Sequence, residues 1–182
     1  MKFTPSDLPG VVLVEPEVFG DERGFFMETW HKHKFIEGGI DVTFVQDNHS
    51  RSTRGILRGM HIQLKHMQGK LMRVAAGEIF DVVVDLRKDS TGFGSWTAYV
   101  LSERNKLQLW VPPGFGHGFY TLSDSADVIY KCTDVYAPAH ERTLRWDDPA
   151  VGIRWPLING EAPMLSAKDA AGLTLDALRQ LL

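Results

Sequence analysis

The sequence predicts a mainly β chain of jelly-roll type, and three observations carry that expectation. Short runs rich in Val, Ile, Phe, Tyr and Trp recur from Val11 to Tyr136. Gly and Pro punctuate them at close intervals, as turns require. No internal repeat, low-complexity tract or linker divides the chain, so the strands must pack together, and a jelly roll or related closed β structure protects their edges. With 182 residues, 43% of them hydrophobic, residues 1–182 are expected to form a single domain with a sizeable core.

Taken in order, Val11-Val12-Leu13-Val14 and Phe25 to Trp30 read as early strands. His31 to Ile36 reads as a short helix ending at Gly38-Gly39. Leu71 to Leu86 reads as two strands turning near Ala76-Gly77-Glu78. In the second, Phe80, Val82, Val84 and Leu86 alternate with Ile79, Asp81, Val83 and Asp85. The first set is expected between the sheets, which sends Asp81 to the other face. Parity alone leaves open whether that face is a barrel interior or solvent. Further strands are expected at Trp96 to Leu101, Gln108 to Val111, Gly118 to Leu122 and Val128 to Thr133, and the leucine-rich stretch Leu173 to Leu182 suggests a small terminal helix.

Bulk charge narrows the function classes. A formal net charge of -3 and a pI of about 6.1 give no broad electrostatic footprint for nucleic acid, although local Arg and Lys clusters remain able to hold one small anion. The single Cys132 excludes an intrachain disulfide and fits a reducing cytoplasm. Its strand-like neighbours favour a buried structural thiol over a nucleophile. No apolar run is long enough to span a bilayer and no signal-peptide pattern follows Met1. A cytoplasmic chain with no membrane or nucleic-acid partner is therefore expected.

The chemistry concentrates around Leu57-Arg58-Gly59-Met60-His61 and the following Gln68-Gly69-Lys70. A neutral imidazole takes a proton near pH 7, and an ammonium holds the anion formed as the proton leaves. That pairing suits carbon-acid chemistry beside a carbonyl. Further on, Pro112-Pro113-Gly114-Phe115-Gly116-His117 resembles the second motif of cupins, a jelly-roll superfamily. Many cupins hold a metal through a first motif containing H-x-H and a nearby Glu. Here the corresponding stretch is His61-Ile62-Gln63, with no carboxylate until Glu78. His61, His117 and His66 fall short of a convergent ligand set, and Lys70 adds a cation, so no metal is expected.

The resemblance then becomes specific. Phe19-Gly20-Asp21-Glu22-Arg23-Gly24-Phe25-Phe26, Phe44-Val45-Gln46-Asp47-Asn48-His49-Ser50, Leu57 to His61, Gln68-Gly69-Lys70-Leu71 and Gly77 to Val82 stand in order. Gln108 to Pro112, Gly114 to Phe119, Tyr130-Lys131 and Leu165 to Asp169 follow. In this ordered set, across nearly the whole chain, the sequence resembles the dTDP-4-dehydrorhamnose 3,5-epimerase family, metal-free cupins acting on a deoxysugar nucleotide. The resemblance implies a cupin-type jelly roll (a double-stranded β-helix) with short peripheral and C-terminal helices. It also implies a homodimer, no cofactor, and a place in dTDP-L-rhamnose biosynthesis for surface polysaccharide.

By that resemblance His61 is the base, Asp169 the carboxylate that orients it, Tyr130 the acid on the opposite face and Lys70 the stabiliser of the enolate. Arg23, Arg58, Lys70 and Lys168 match positions around the substrate, where Arg suits bidentate phosphate contacts. His117 and Glu141 match further substrate contacts. Glu28, Gln46 and Asn48 match hydrogen-bonding partners of thymidine, while Phe19 and Tyr136 stack on or enclose its base. Each has a plainer reading: a strand histidine is usually structural, Tyr130 reads alone as a half-buried strand aromatic, and Asp169 reads alone as a helix cap. Arg58 and His61 also point to opposite faces of an unbroken strand. A bulge at Gly59, a contact from the strand end, or a reach into a neighbouring subunit's site would each resolve this.

The sequence departs from the family pattern in places. His31 to His33 and Lys65-His66 have no assigned role, the Pro usual before Gln-Gly-Lys is absent, Val135 stands where an aromatic is common, and Gly172-Leu173 replaces a Pro-containing stretch. Related enolate chemistry on the same fold, as a single-centre epimerase or a sugar ketoisomerase, is the nearest alternative function. A non-catalytic sugar-nucleotide-binding cupin is the alternative outside enzymes.

Overall fold

The strands expected from the sequence assemble, in a computed structural model describing residues 1–182, into two stacked antiparallel sheets and a detached hairpin. The strands are β1 (Lys2–Pro5), β2 (Val12–Glu15), β3 (Val18–Asp21), β4 (Gly24–Met27), β5 (Gln46–Thr53), β6 (Leu57–Gln63) and β7 (Lys70–Ala76). They continue with β8 (Glu78–Asp85), β9 (Trp96–Ser102), β10 (Gln108–Val111), β11 (Phe115–Thr121), β12 (Ser125–Cys132) and β13 (Glu141–Thr143). One sheet runs β1-β2-β10-β7-β12-β5, the other β13-β6-β11-β8-β9, and β3-β4 stand apart. Neighbours such as β2 and β10, or β5 and β12, are distant in sequence, the mark of a jelly roll rather than a meander.

Three clusters of buried side chains hold these layers. Met72, Val74, Leu109 and Val128 from the larger sheet meet Ile79, Val83, Leu101 and Phe119 from the smaller one. The outer face of the larger sheet is covered by α1 (Lys32–Glu37), whose Phe35 packs with Leu71 and Trp110. The outer face of the smaller sheet is covered by the C-terminal segment, through Leu144, Val151, Leu175 and Leu178. No helix is long and apolar enough to cross a membrane.

Several expectations need correction. Phe80, Val82, Val84 and Leu86 lie on the outer face under the C-terminal segment, while Ile79 and Val83 face the interior with Asp81. Because β8 is covered on both faces, both alternating sets are apolar and hydrophobicity carries no sign of which points inward. The strand from Phe25 stops at Met27, since it belongs to the short β3–β4 hairpin. The terminal helix expected within Leu173 to Leu182 is present as the shorter α3 (Leu175–Arg179), capped by the Thr174 hydroxyl, and a separate turn, α2 (Ala167–Ala170), capped by the Ser166 hydroxyl, precedes it. Between them Leu173 runs extended, donating to Thr143 O and accepting from Arg145 N, so it cannot be helical. The turn expected near Gly77 is present, with φ at 77°, a conformation that suits glycine.

The hairpin is unusual in what it exposes. Phe19, Phe25 and Phe26 are 57%, 58% and 70% exposed, where aromatic residues of a solvated hairpin are normally scarce. Lys106 Nζ sits 3.7 Å from the centre of the Phe25 ring and tethers the hairpin to the β9–β10 turn.

Candidate active site

A cavity of about 320 Å³ opens between the two sheets. The larger sheet contributes alternate residues of three neighbouring strands: Gln46, Asn48 and Ser50 of β5, Lys70 and Met72 of β7, and Tyr130 of β12. The smaller sheet contributes Arg58 and His61 of β6 and His117 and Phe119 of β11. Glu141 at the start of β13, Lys168 of α2, and the loop residues Gln68 and Tyr136 complete it. Imidazole and phenol therefore line opposite walls.

The conflict between Arg58 and His61 is resolved by a bulge. Arg58 pairs with Phe119 and His61 with His117, so three steps along β6 match two along β11. The extra residue restores a common facing for both side chains. Gly59 lies inside this irregularity with φ at 127°. A Cβ there would come within 2.5 Å of Gly118 Cα and 2.9 Å of His117 O, so the two strands approach in a way only glycine allows. Arg58 is steadied by Nε donating to Ser52 Oγ at 2.8 Å and Nη2 donating to Arg51 O at 3.3 Å.

Two histidine–carboxylate pairs stand on the smaller sheet. His61 Nε2 lies 2.5 Å from Asp169 Oδ1. Asp169 is buried; its Oδ2 accepts from the Ser166 hydroxyl at 2.9 Å, and its backbone N–H donates to Ser166 Oγ at 3.1 Å. The plainer reading of Asp169 as a helix cap does not hold, since Ser166 caps α2 and Thr174 caps α3, and the Asp169 carboxylate is turned to His61 instead. Burial pushes the Asp169 carboxyl up, but the hydrogen bond and charge of His61 and the Ser166 hydroxyl outweigh it and hold the group below its ordinary range. The second pair is deeper: His117 Nε2 lies 2.9 and 3.0 Å from the two oxygens of fully buried Asp81. Sequence reasoning left Asp81 without a role, although the alternation along β8 already set it apart from Phe80.

The other nitrogen of His61, Nδ1, is 3.9 Å from Glu141 Oε1. Glu141 Oε2 accepts from Lys168 Nζ at 2.7 Å and from the Tyr136 hydroxyl at 2.9 Å. Burial raises the Glu141 carboxyl, while Lys168, His61 and Tyr136 together bring it below its ordinary value. Lys70 takes part in none of the chain's ion pairs. Burial lowers the pKa of its amine against the opposing pull of Cys132, Glu141 and Asp81. Burial also raises the Tyr130 phenol, with Arg58 pulling weakly the other way, so that phenol holds its proton at neutral pH. Cys132 is buried behind the wall, its thiol raised by burial and accepting from Asn48 Nδ2 at 3.4 Å. No three His, Cys, Asp or Glu side chains converge as a metal-ligand set.

Comparison with known proteins bears directly on this arrangement. The family described as dTDP-4-dehydrorhamnose 3,5-epimerase matches residues 5–177. A dTDP-4-dehydrorhamnose 3,5-epimerase of Pseudomonas aeruginosa is 54% identical over 173 residues, 94% of each chain. The chain belongs to the dTDP-4-dehydrorhamnose 3,5-epimerase family. A Neisseria gonorrhoeae relative of the same name is also 54% identical, over 174 residues; the match covers 96% of this chain and 52% of that longer one. The dTDP-6-deoxy-D-glucose-3,5-epimerase of Legionella pneumophila, solved with dTDP-4-keto-L-rhamnose, superposes with a TM-score of 0.95 at 48% identity, covering 100% of this chain and 96% of that one. Both the epimerase assignment and the cupin-like jelly roll read from the sequence stand.

Within this epimerase the expected site residues fall into two groups. Gln46, Asn48, Arg58, His61, Lys70, His117, Tyr130, Tyr136, Glu141 and Lys168 line one cavity, and Asp169 backs His61 from behind it. Phe19, Arg23 and Glu28 do not line it. Phe19 and Arg23 are on or beside the β3–β4 hairpin, Arg23 pairing with Asp21, while Glu28 pairs with Lys34 at 2.9 Å. Ser50, Gln68, Met72 and Phe119 line the cavity without an expected site role. The period-2 rule applied from Asn48, Lys70 and His117 was the available signal.

Proposed function

We propose that residues 1–182 act as a single epimerase domain in which His61 and Tyr130 invert C3 and C5 of dTDP-4-dehydro-6-deoxy-D-glucose in turn, giving dTDP-4-dehydro-L-rhamnose. The 4-keto group acidifies both carbons, since loss of either proton gives an enolate on the same oxygen. Inversion needs a base on one face and an acid on the other. The observation that carries this reading is the placement of His61 and Tyr130 on opposite sheets across one cavity.

With Asp169 on Nε2, His61 keeps Nδ1 free to take the carbon-bound proton, and the carboxylate stabilises the imidazolium that results. Lys70, unpaired in the cavity, supplies the positive charge for the enolate oxygen. The Tyr130 phenol returns a proton from the opposite wall. Substrate and product are isomers, so the reaction has no net consumption of oxidant, reductant or group donor. Arg58, Lys168 and His117 hold the diphosphate-sugar portion, with Glu141 orienting Lys168; Gln46, Asn48 and Tyr136 receive the thymidine end.

The same reading makes the enzyme a cytoplasmic homodimer. Phe19, Arg23 and Glu28 lie outside their own chain's cavity, and the hairpin beside them exposes three phenylalanines. A second copy supplies the apolar surface that those rings lack and lets Phe19 and Arg23 serve the facing cavity. The product feeds dTDP-L-rhamnose synthesis.

Incubation with dTDP-4-dehydro-6-deoxy-D-glucose in heavy water, followed by NMR at C3 and C5, tests the reading. Deuterium at both carbons with the L-configured product is expected. Exchange at one carbon only would replace it with a single-centre epimerase, a displaced carbonyl with a ketoisomerase, and binding without exchange with a non-catalytic sugar-nucleotide protein.

A further inference from the structure

Gln63 stands where many cupins place the second histidine of their metal motif, and the mechanism above gives it no part. It is 6% exposed, yet every polar atom of its amide is engaged. Nε2 donates to His66 O at 2.6 Å and to Val135 O at 3.2 Å, and Oε1 accepts from Ala137 N at 2.8 Å. Val135 O and Ala137 N belong to the two peptide groups on either side of the Tyr136 Cα. The first of those peptides is also gripped from the other sheet, where Gln46 Oε1 accepts from Tyr136 N at 2.7 Å. Fixing both planes around one Cα fixes its two soft dihedrals and so the direction of its side chain. The Tyr136 side chain is exposed at the cavity, and its one hydrogen bond runs from its hydroxyl to Glu141.

We infer that Gln63 is a positioning residue that sets the backbone of Tyr136 and thereby the grip on the nucleotide end of the substrate. The inference rests on the reading of Tyr136 as a wall of the thymidine site. The His66 carbonyl extends the clamp to a second segment. His66 has φ at 54°, and its loop delivers Gln68 to the cavity while Gln68 Nε2 donates to Asp134 O at 2.8 Å. Only a carboxamide offers two donors and an acceptor at this length. Glutamate keeps the acceptor and loses the donors; methionine keeps the volume and loses both.

The test is a double-substitution cycle on the full chain, read by epimerisation kinetics and by calorimetric titration with dTDP. Gln63→Met should raise KM and the Kd for dTDP about tenfold or more, as expected for backbone groups left without partners. At saturating substrate kcat should stay within about threefold, because the reacting groups are untouched. In a Tyr136→Ala background the same substitution should change Kd by less than about twofold, since the two act through one another. Unchanged KM and Kd, or an equal penalty in both backgrounds, would overturn the inference. Should Gln63→Met not fold, Gln63→Glu carries the same cycle with the bond to Ala137 retained. Wild-type protein that binds dTDP but exchanges neither carbon would defeat the proposed function alone, and the dTDP cycle would still decide the role of Gln63.

Discussion

Replacing Asp169 with asparagine isolates the contribution of the carboxylate behind the base. The substitution keeps the side chain's size and its place beside Ser166, and removes one charge from a group 3% exposed and 2.5 Å from His61 Nε2. An amide NH₂ turned toward Nε2 also makes that nitrogen an acceptor and moves the imidazole proton to Nδ1, the atom that must be free. A hydrogen bond to a charged partner is worth about 1.5–3 kcal/mol net. The imidazolium exists only after abstraction, so the loss falls on the transition state. At about 1.4 kcal/mol per decade, kcat should drop about 10- to 150-fold. KM should hold, because Asp169 does not line the cavity. Steady-state kinetics and deuterium uptake at C3 and C5 measure this directly, and both carbons should slow together. Stability changes in a defined direction as well. The folded-state pKa of Asp169 is depressed, so its pair stabilises the native state above the ordinary carboxylate pKa, and that stabilisation disappears as pH falls through the folded value. The melting temperatures of wild type and variant should converge on acidification. A kcat within about twofold of wild type would refute the dyad.

Four further outcomes follow from the same geometry. His61→Ala should abolish exchange, a loss of about 10²–10⁴-fold for a general base, while leaving the circular dichroism of the fold intact. Tyr130→Phe should slow the completed inversion more than the initial exchange, seen as deuterium uptake outpacing product; an unchanged product rate would remove Tyr130 as the acid. Lys70→Met should cost about 10²–10³-fold in kcat if the ammonium faces the enolate oxygen, read from initial rates at saturating substrate. Gly59→Ala should destabilise the fold by about 2–3 kcal/mol, since its Cβ meets the β11 backbone, lowering the melting temperature by about 5–10 °C.

Much of this architecture is legible in the sequence because strands carry their own punctuation. The β10 strand falls where its residues Gln108 to Val111 predict it, and the β7–β8 turn falls at Gly77. What the sequence withholds is which face points inward once both faces are covered, hence the inverted assignment around Phe80. Register is hidden for a related reason. The β6 bulge arises from how β6 meets β11; Gly59 marks where one can lie, but the sequence alone does not choose it over a strand-end contact or a reach into a neighbouring subunit. The dyad of His61 with Asp169 joins residues 108 positions apart, so only family resemblance brings them together before the fold does. The role of Asp81 as the partner of His117 was hidden by the same long separation.

The bulge in β6 has a bearing on how such a chain can vary. Because one extra residue brings Arg58 and His61 to the same wall, the arrangement depends on how many residues separate them as much as on what they are. Deleting one residue between them would leave every chemical group present and turn one of the two away from the cavity. Turns outside β6 do not enter this count. Natural variants of this chain should therefore gain and lose residues in their turns, while the segment from Leu57 to Gln63 changes its letters and keeps its length.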